Sequence, residues 1–210
     1  MSSPGTKQRI LNTAEFLFAR EGYNGTSLRA ITSNAKVNLA AVNYHFGSKK
    51  ALLEDVFERR LLPLNAIRKE RLKKVKETAI KEDRKATVRE IMYAFIEPTL
   101  TFKESDPGAE DFIALVGRSF SDPDDTVRNV FFRYMKPMLL LLFETLSEAL
   151  PSIPQNVLFW RLQFSLGAMA HTMHGCGDLM PETLNIETKM DTDLLVSMIV
   201  SFVTAGMEAS

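Results

Sequence analysis

The sequence predicts an all-α protein, and three observations lead there. Apolar residues recur three and four apart along nearly the whole chain, and no stretch sustains the alternation of a strand. Glycines and prolines stand mostly where helical patterns end or bend. Charge is segregated: residues 1–76 carry a net +9 and residues 77–210 a net −9, although the chain as a whole is neutral. A basic head on an acidic body is the asymmetry expected when one end meets a polyanion. The predicted architecture is an N-terminal three-helix helix-turn-helix head. A long helix joins it to a C-terminal helical body.

The head spans residues 1–50. Ile10, Ala14, Leu17 and Phe18 form the stripe of a first helix, which ends at Gly22, a natural C-terminal residue. Leu28 and Ile31 mark the inward side of a second, short helix. Ala35, Lys36 and Val37 leave room only for a tight turn, after which Asn38 can cap a third helix. Val42 and Phe46, four apart, pack inward; Leu39, Ala40, Asn43 and Tyr44 then face out. An outward face of small and hydrogen-bonding residues, with no acidic group, suits a major groove lined by phosphates. Ser48 caps the next helix, whose first turn holds Lys49 and Lys50. Cations are disfavoured beside a helix N-terminus, so an external anion is the simplest reason for them.

The body is assigned to residues 51–210, with the helix over 48–81 as the link. Leu52, Val56 and Phe57 face the head, Pro63 is expected to kink or restart the helix, and the charged run from Arg68 to Lys81 connects head to body. Val88, Ile91, Met92, Phe95 and Ile96 mark a helix that fades near Glu97, and the acidic segment Lys103 to Glu110 reads as a loop. Phe112, Leu115, Val116 and Ser119 mark the next helix. Asp122 and Pro123 match an N-cap and first position of a long helix that runs to about Leu150 and bends at Pro137. Helices over Gln155–Gly175 and Asp191–Glu208 close the chain. Both are apolar around more than one face, which predicts a homodimer through Gly167, Ala170, His174, Leu195, Met198 and Phe202.

The longest uncharged stretches fall short of the roughly 20 apolar residues a bilayer span needs. Met1 to Thr6 hold no apolar run and there is one cysteine, so a cytoplasmic protein without membrane association is expected. His171 and His174, with Cys176 close by, are metal-capable donors, but no fourth donor is evident. No phosphate loop, carboxylate pair or nucleophile elbow appears, so neither metal, cofactor nor enzymatic activity is expected. A metal-dependent enzyme using His171 and His174 is the remote alternative. Flexible Met and flat Phe line cavities for extended apolar ligands. Arg118 and Arg161 interrupt apolar surfaces and call for an anionic partner, either an internal carboxylate such as Asp111 or Glu144 or a ligand headgroup. The candidate pocket comprises Met92, Phe95, Phe112, Arg118, Phe132, Arg161, Phe164 and His171.

FAREGYNGTSLRAI (18–31) and VNYHFGSKKALL (42–53) resemble the TetR family of bacterial transcription regulators in spacing and in residues. The resemblance implies a homodimeric repressor on a palindromic double-stranded DNA operator, released when a small molecule enters the body. It places Arg29 where an arginine reaches a guanine and Asn43 where the base-proximal residue is usually tyrosine. Tyr44 and Lys49 take phosphate-contact positions. Thr26 or Ser27 caps the second helix and reaches a phosphate, and His45 packs near the helix ends or touches DNA. Lys36 departs from the glycine common in the turn, and Leu39 from a commonly polar residue, which suits it to a thymine methyl. ITSNAKVNLAAVNYHFGSKKAL (31–52) and LFWRLQFSLGA (158–168) are similar to PsrA-type regulators, which respond to long-chain fatty acids. A long-chain acyl ligand is therefore the favoured inducer, with a drug-responsive efflux regulator as the alternative.

Overall fold

The computed structural model describes residues 5–105, 108–121, 125–174 and 190–209. Among them every regular element is helical: α1 Thr6–Gly25, α2 Leu28–Ala35, α3 Leu39–Phe46, α4 Lys49–Lys81, α5 Val88–Ser105, α6 Ala109–Ser121, α7 Asp125–Ala149, α8 Gln155–His174 and α9 Thr192–Glu208. No described helix is long and apolar enough to cross a membrane. The chain forms two compact units, Met1–Pro63 with Asp106–Lys136, and Leu64–Ser105 with Pro137–Ser210. Helices α4 and α7 pass from one unit into the other, and each does so at its internal proline, Pro63 and Pro137.

In the first unit the stripes read from sequence are the core. Ile10, Ala14, Leu17 and Phe18 of α1, Ile31 of α2, Val42 and Phe46 of α3, and Leu52, Val56 and Phe57 of α4 are all buried. The Phe57 ring meets Phe112 of α6 edge-on at 5.5 Å and Phe131 of α7 at 6.2 Å. One charge enters this apolar interior. Glu15 on α1 is buried, and its carboxylate accepts from Arg59 Nε at 3.1 Å and from Arg60 Nη2 at 2.7 Å. Arg59 also donates to Asn12 Oδ1 at 2.7 Å. Desolvating a carboxylate is costly unless it is paired and hydrogen-bonded, and the two guanidinium groups do both. They thereby lock α1 against α4.

The second unit packs α9 against α5 and α8. Its core includes Ile91, Met92, Phe95, Ile96, Leu142, Leu146, Leu158, Leu162, Val196, Val200 and Val203. Thr87 and Glu90 open α5 with a capping box: each backbone N–H is bonded by the other's side chain, at 2.9 and 3.2 Å. Hydrogen bonds from Arg84 and Thr87 hold the Glu90 carboxyl down at about 2. Arg68 of α4 is buried in this unit, its guanidinium 4.4 Å from the Phe95 ring centroid. It donates to Phe95 O, Asn65 Oδ1 and Thr99 Oγ1, and burial pulls it down to about 9.

Helix α4 is one element through Pro63, so the helix does not restart there. One boundary differs from the sequence expectation: α5 runs through Pro98 to Ser105 instead of fading at Glu97. Proline removes one backbone donor. In the same turn of α5, Arg68 Nε and Thr99 Oγ1 both donate to Phe95 O. Of the expected loop 103–110, residues up to Ser105 belong to α5 and those from Ala109 to α6, and the Asp122–Pro123 cap lies outside the described residues. The Glu15 arrangement yields a stability prediction. Glu15→Leu should lower unfolding free energy by about 3–5 kcal/mol, because it removes the carboxylate two clustered cations share. Urea denaturation checks it; an unchanged midpoint would show that the pair of arginines holds α4 without the carboxylate.

Candidate nucleic-acid interface

Three interruptions of the helical backbone shape the head. At Gly22 (φ 75°, ψ 167°) the ladder of α1 breaks inside the assigned helix, a conformation open to glycine at little cost. Thr26 pins the break, its N–H and Oγ1 both donating to Gly22 O at 3.2 and 2.8 Å. Ser27 then caps α2, accepting from Ala30 N–H at 3.0 Å. Lys36 closes α2 in the left-handed region (φ 52°, ψ 51°), and Val37 N–H reaches back to Thr32 O. Asn38 caps α3 by accepting from Ala41 N–H at 2.8 Å. Gly47 (φ 74°) ends α3, and Ser48 caps α4 by accepting from Ala51 N–H at 3.1 Å.

These turns hold α3 with Val42 and Phe46 inward and Leu39, Ala40, Asn43 and Tyr44 outward. Leu39 is 44% exposed and Tyr44 85%, which is high for an aromatic ring. Arg29 on α2 and Lys50 on α4 are exposed, and Lys49 is half-buried. No acidic residue occupies the first turn of α2, α3 or α4. His45 is half-buried, with its ring 5.1 Å from Tyr44 and 6.0 Å from Phe46, so it packs among rings at the end of α3. Of the two expected caps, Ser27 takes the role, and Thr26 is buried against Gly22. Tyr23, which no local pattern marks as functional, has its ring 4.2 Å from Lys49 Nζ.

Of the candidate pocket residues, Phe112, Arg118 and Phe132 belong to the first unit, and Met92, Phe95, Arg161, Phe164 and His171 to the second. Met92, Phe95 and Phe112 are core, whereas Phe132 and His171 are exposed and Phe164 is 69% exposed. Arg118 donates to Ala19 O at 2.8 Å and Arg20 O at 2.6 Å, at the end of α1. Arg161 donates to Met207 O at 2.9 Å, at the end of α9. The last carbonyls of a helix lack intrahelical donors and carry the negative end of its dipole, so a guanidinium satisfies both needs. The larger described cleft, about 570 Å³ in the first unit, is polar, lined by Asn12, Glu15, Arg59 and Asp111 among others.

On α8 and α9, Met198 is exposed and Phe202 is 72% exposed. Gly167 is exposed with open space where a Cβ would stand, and Ala170 and Leu195 are half-buried. Phe159 and Trp160 are exposed beside Phe164. The His174 side chain and Cys176 lie outside the described residues. Among the described residues no group of three or more His, Cys, Asp or Glu is arranged to hold a metal ion.

Two family descriptions match the chain. "Bacterial regulatory proteins, tetR family" matches residues 10–56, and "Tetracyclin repressor-like, C-terminal domain" matches residues 93–206. The "Probable HTH-type transcriptional regulator YttP" of Bacillus subtilis is 43% identical over 49 residues, 23% of this chain and 24% of that protein. The "Biofilm operon icaADBC HTH-type negative transcriptional regulator IcaR" of Staphylococcus aureus (strain Newman) is 40% identical over 48 residues, 23% of this chain and 26% of that protein. The match thus spans about a quarter of the length of these curated relatives. Over the whole chain the likeness is one of fold. The regulator FadR from Bacillus subtilis, in complex with stearoyl-CoA, superposes with a TM-score of 0.67 at 16% identity, covering 95% of this chain and 98% of that one. FadR from Bacillus halodurans gives 0.66 at 15% identity, covering 99% of each.

The left-handed Lys36 sets the angle at which α3 leaves α2. A residue with a Cβ pays roughly 1–2 kcal/mol there, against a glycine's larger unfolded-state entropy of roughly 0.5–1 kcal/mol. Lys36→Gly should therefore raise stability by about 0.5–1 kcal/mol. A thermal midpoint that stays put or falls would mean the surroundings have already relieved the strain.

Proposed function

We propose that this chain, which belongs to the TetR family of bacterial regulatory proteins, acts as a homodimeric transcriptional repressor in the cytoplasm, released from a near-palindromic operator by a small apolar ligand. The observation that carries the DNA-binding part is the acid-free outward face of α3, flanked by Arg29, Lys49 and Lys50. Arg29 has the fork that fits guanine O6 and N7, Asn43 can pair with adenine, and Leu39 suits a thymine methyl. Tyr44 and Lys49 are assigned to phosphates, which position the head without reading sequence. The exposed Trp160, Phe164, Met198 and Phe202 support self-association through α8 and α9, since isolated helices rarely leave such rings in water. A dimer with two heads protects half-sites about one helical turn apart, or somewhat more. The description of IcaR as a negative regulator supports repression.

Arg29→Ala should cost about 1–3 kcal/mol on the operator and relax preference at one base per half-site. Lys49→Ala should weaken binding on all sequences and flatten the salt dependence, by about 0.9 in slope for each phosphate left without its cation. Footprinting and salt titrations on operator and random duplexes separate the two. Equal losses on both duplexes for Arg29→Ala would remove its base-reading role, and a single protected half-site would remove the dimer.

For the ligand we favour a long-chain acyl anion. The acyl-CoA bound by the structurally similar FadR supports it. Release requires tighter binding to the DNA-incompetent state, with a coupling of typically about 1–3 kcal/mol. Long-chain acyl-CoA should release operator DNA while short-chain analogues fail, because each missing methylene forfeits roughly 0.8 kcal/mol of burial. A gel-shift with a chain-length series below micelle-forming concentrations tests it. No response at any length sinks the acyl reading and leaves a lipophilic cation as the inducer to try next.

A further inference from the structure

Tyr23 and Arg118 take no part in the DNA contacts proposed above, yet both grip the same short stretch of α1. Before the break at Gly22, Arg118 of α6 donates to Ala19 O at 2.8 Å and to Arg20 O at 2.6 Å. At the break, Gly22 O accepts from Thr26 N–H and Thr26 Oγ1. Just after it, the Tyr23 ring stands 5.7 Å from the buried Phe18 ring and 4.2 Å from Lys49 Nζ. Lys49 is the first residue of α4, and no acidic side chain occupies that turn. The positive end of a helix dipole repels a lysine there. The π-face of a ring attracts an ammonium at this distance.

We propose that Tyr23 is a positioning residue for Lys49, and that Arg118 holds Tyr23 in place by clamping the kinked end of α1 to α6. The strength with which the head grips phosphate is then set through α6, although α6 contributes no residue to the DNA face. The relay has a strict order: Arg118 fixes the carbonyls before the kink, the kink fixes the Tyr23 ring, and the ring fixes the ammonium. It rests on the DNA-binding reading, and the test separates failure of one from failure of the other.

The experiment measures affinity for the operator duplex and a random duplex across a salt series, for the full-length chain and five variants. Tyr23→Phe keeps the ring and should leave affinity and salt slope unchanged. Tyr23→Leu should weaken both duplexes alike, by about 2–5-fold, and lower the salt slope toward that of Lys49→Ala. In the Tyr23→Leu/Lys49→Ala double variant the loss should equal that of Lys49→Ala alone. Arg118→Ala should reproduce the Tyr23→Leu phenotype. A ring that merely stabilised the head would give losses that add to those of Lys49→Ala with an unchanged slope, and that result overturns the proposal. Wild-type protein that binds neither duplex overturns the DNA-binding reading and the relay with it. Circular dichroism at the assay temperature confirms that each variant is folded when it is compared.

Discussion

A helical chain that bends or ends its helices must find donors for the carbonyls it releases, and here side chains from distant helices supply them. Buried backbone groups left unpaired cost about as much as a broken hydrogen bond. Arg118 serves Ala19 and Arg20, and Arg161 serves Met207. Each bond also ties two helices together, α6 to α1 and α8 to α9, and Arg68, donating to Phe95 O, ties α4 to α5. Arginine suits this duty because its planar fork can reach two acceptors at once while its stem lies along apolar surface. The Glu15 carboxylate, shared by Arg59 and Arg60, does the complementary task inside the first unit.

The head depends on these ties because its own helices are short. Helices α2 and α3 have eight residues each, well below the length at which an isolated helix is stable in water. Their geometry is therefore imposed by caps at Ser27 and Asn38 and by the packing of Ile31, Val42 and Phe46 on α1 and α4. Two glycines and one lysine with positive φ, at positions 22, 47 and 36, set the turns between the elements. Only the lysine carries a steric cost, and it lies in the turn that aims α3. The outward face of α3 is left over after every inward position has been filled, which is why it can be given to recognition without loss of core.

The two compact units present surfaces of opposite chemistry. The first exposes cations, an amide and a phenol ring around α3, suited to phosphate and base edges. The second exposes Trp160, Phe164, Met198 and Phe202, suited to another apolar surface. Arg68, the buried cation of the second unit, lies in a stretch whose sequence is otherwise that of a solvated, charged helix, with exposed Lys69, Glu70, Lys73 and Lys74 around it. One position in such a run faces inward for every three or four that face out, and charge content alone does not tell which.

What the sequence determined by itself is everything governed by hydrogen bonds and packing within a few residues. The helical period, the caps at Ser27, Asn38 and Ser48, the inward pairs such as Val42 and Phe46, and hence the outward set on α3 are local facts. Capping bonds reach three residues and stripes repeat every three or four. What only the tertiary structure decided are the long-range pairings. Arg118 meets carbonyls of α1 that lie 98 and 99 residues away in sequence. Helix α8 turns Phe164 outward, and Arg68 donates to Phe95 O of α5, 27 residues away. An amphipathic stripe states that a helix has an inner face, but not which helix it meets. The partner of a buried cation depends on that meeting, because a guanidinium satisfies any carbonyl or carboxylate that packing brings within about 3 Å.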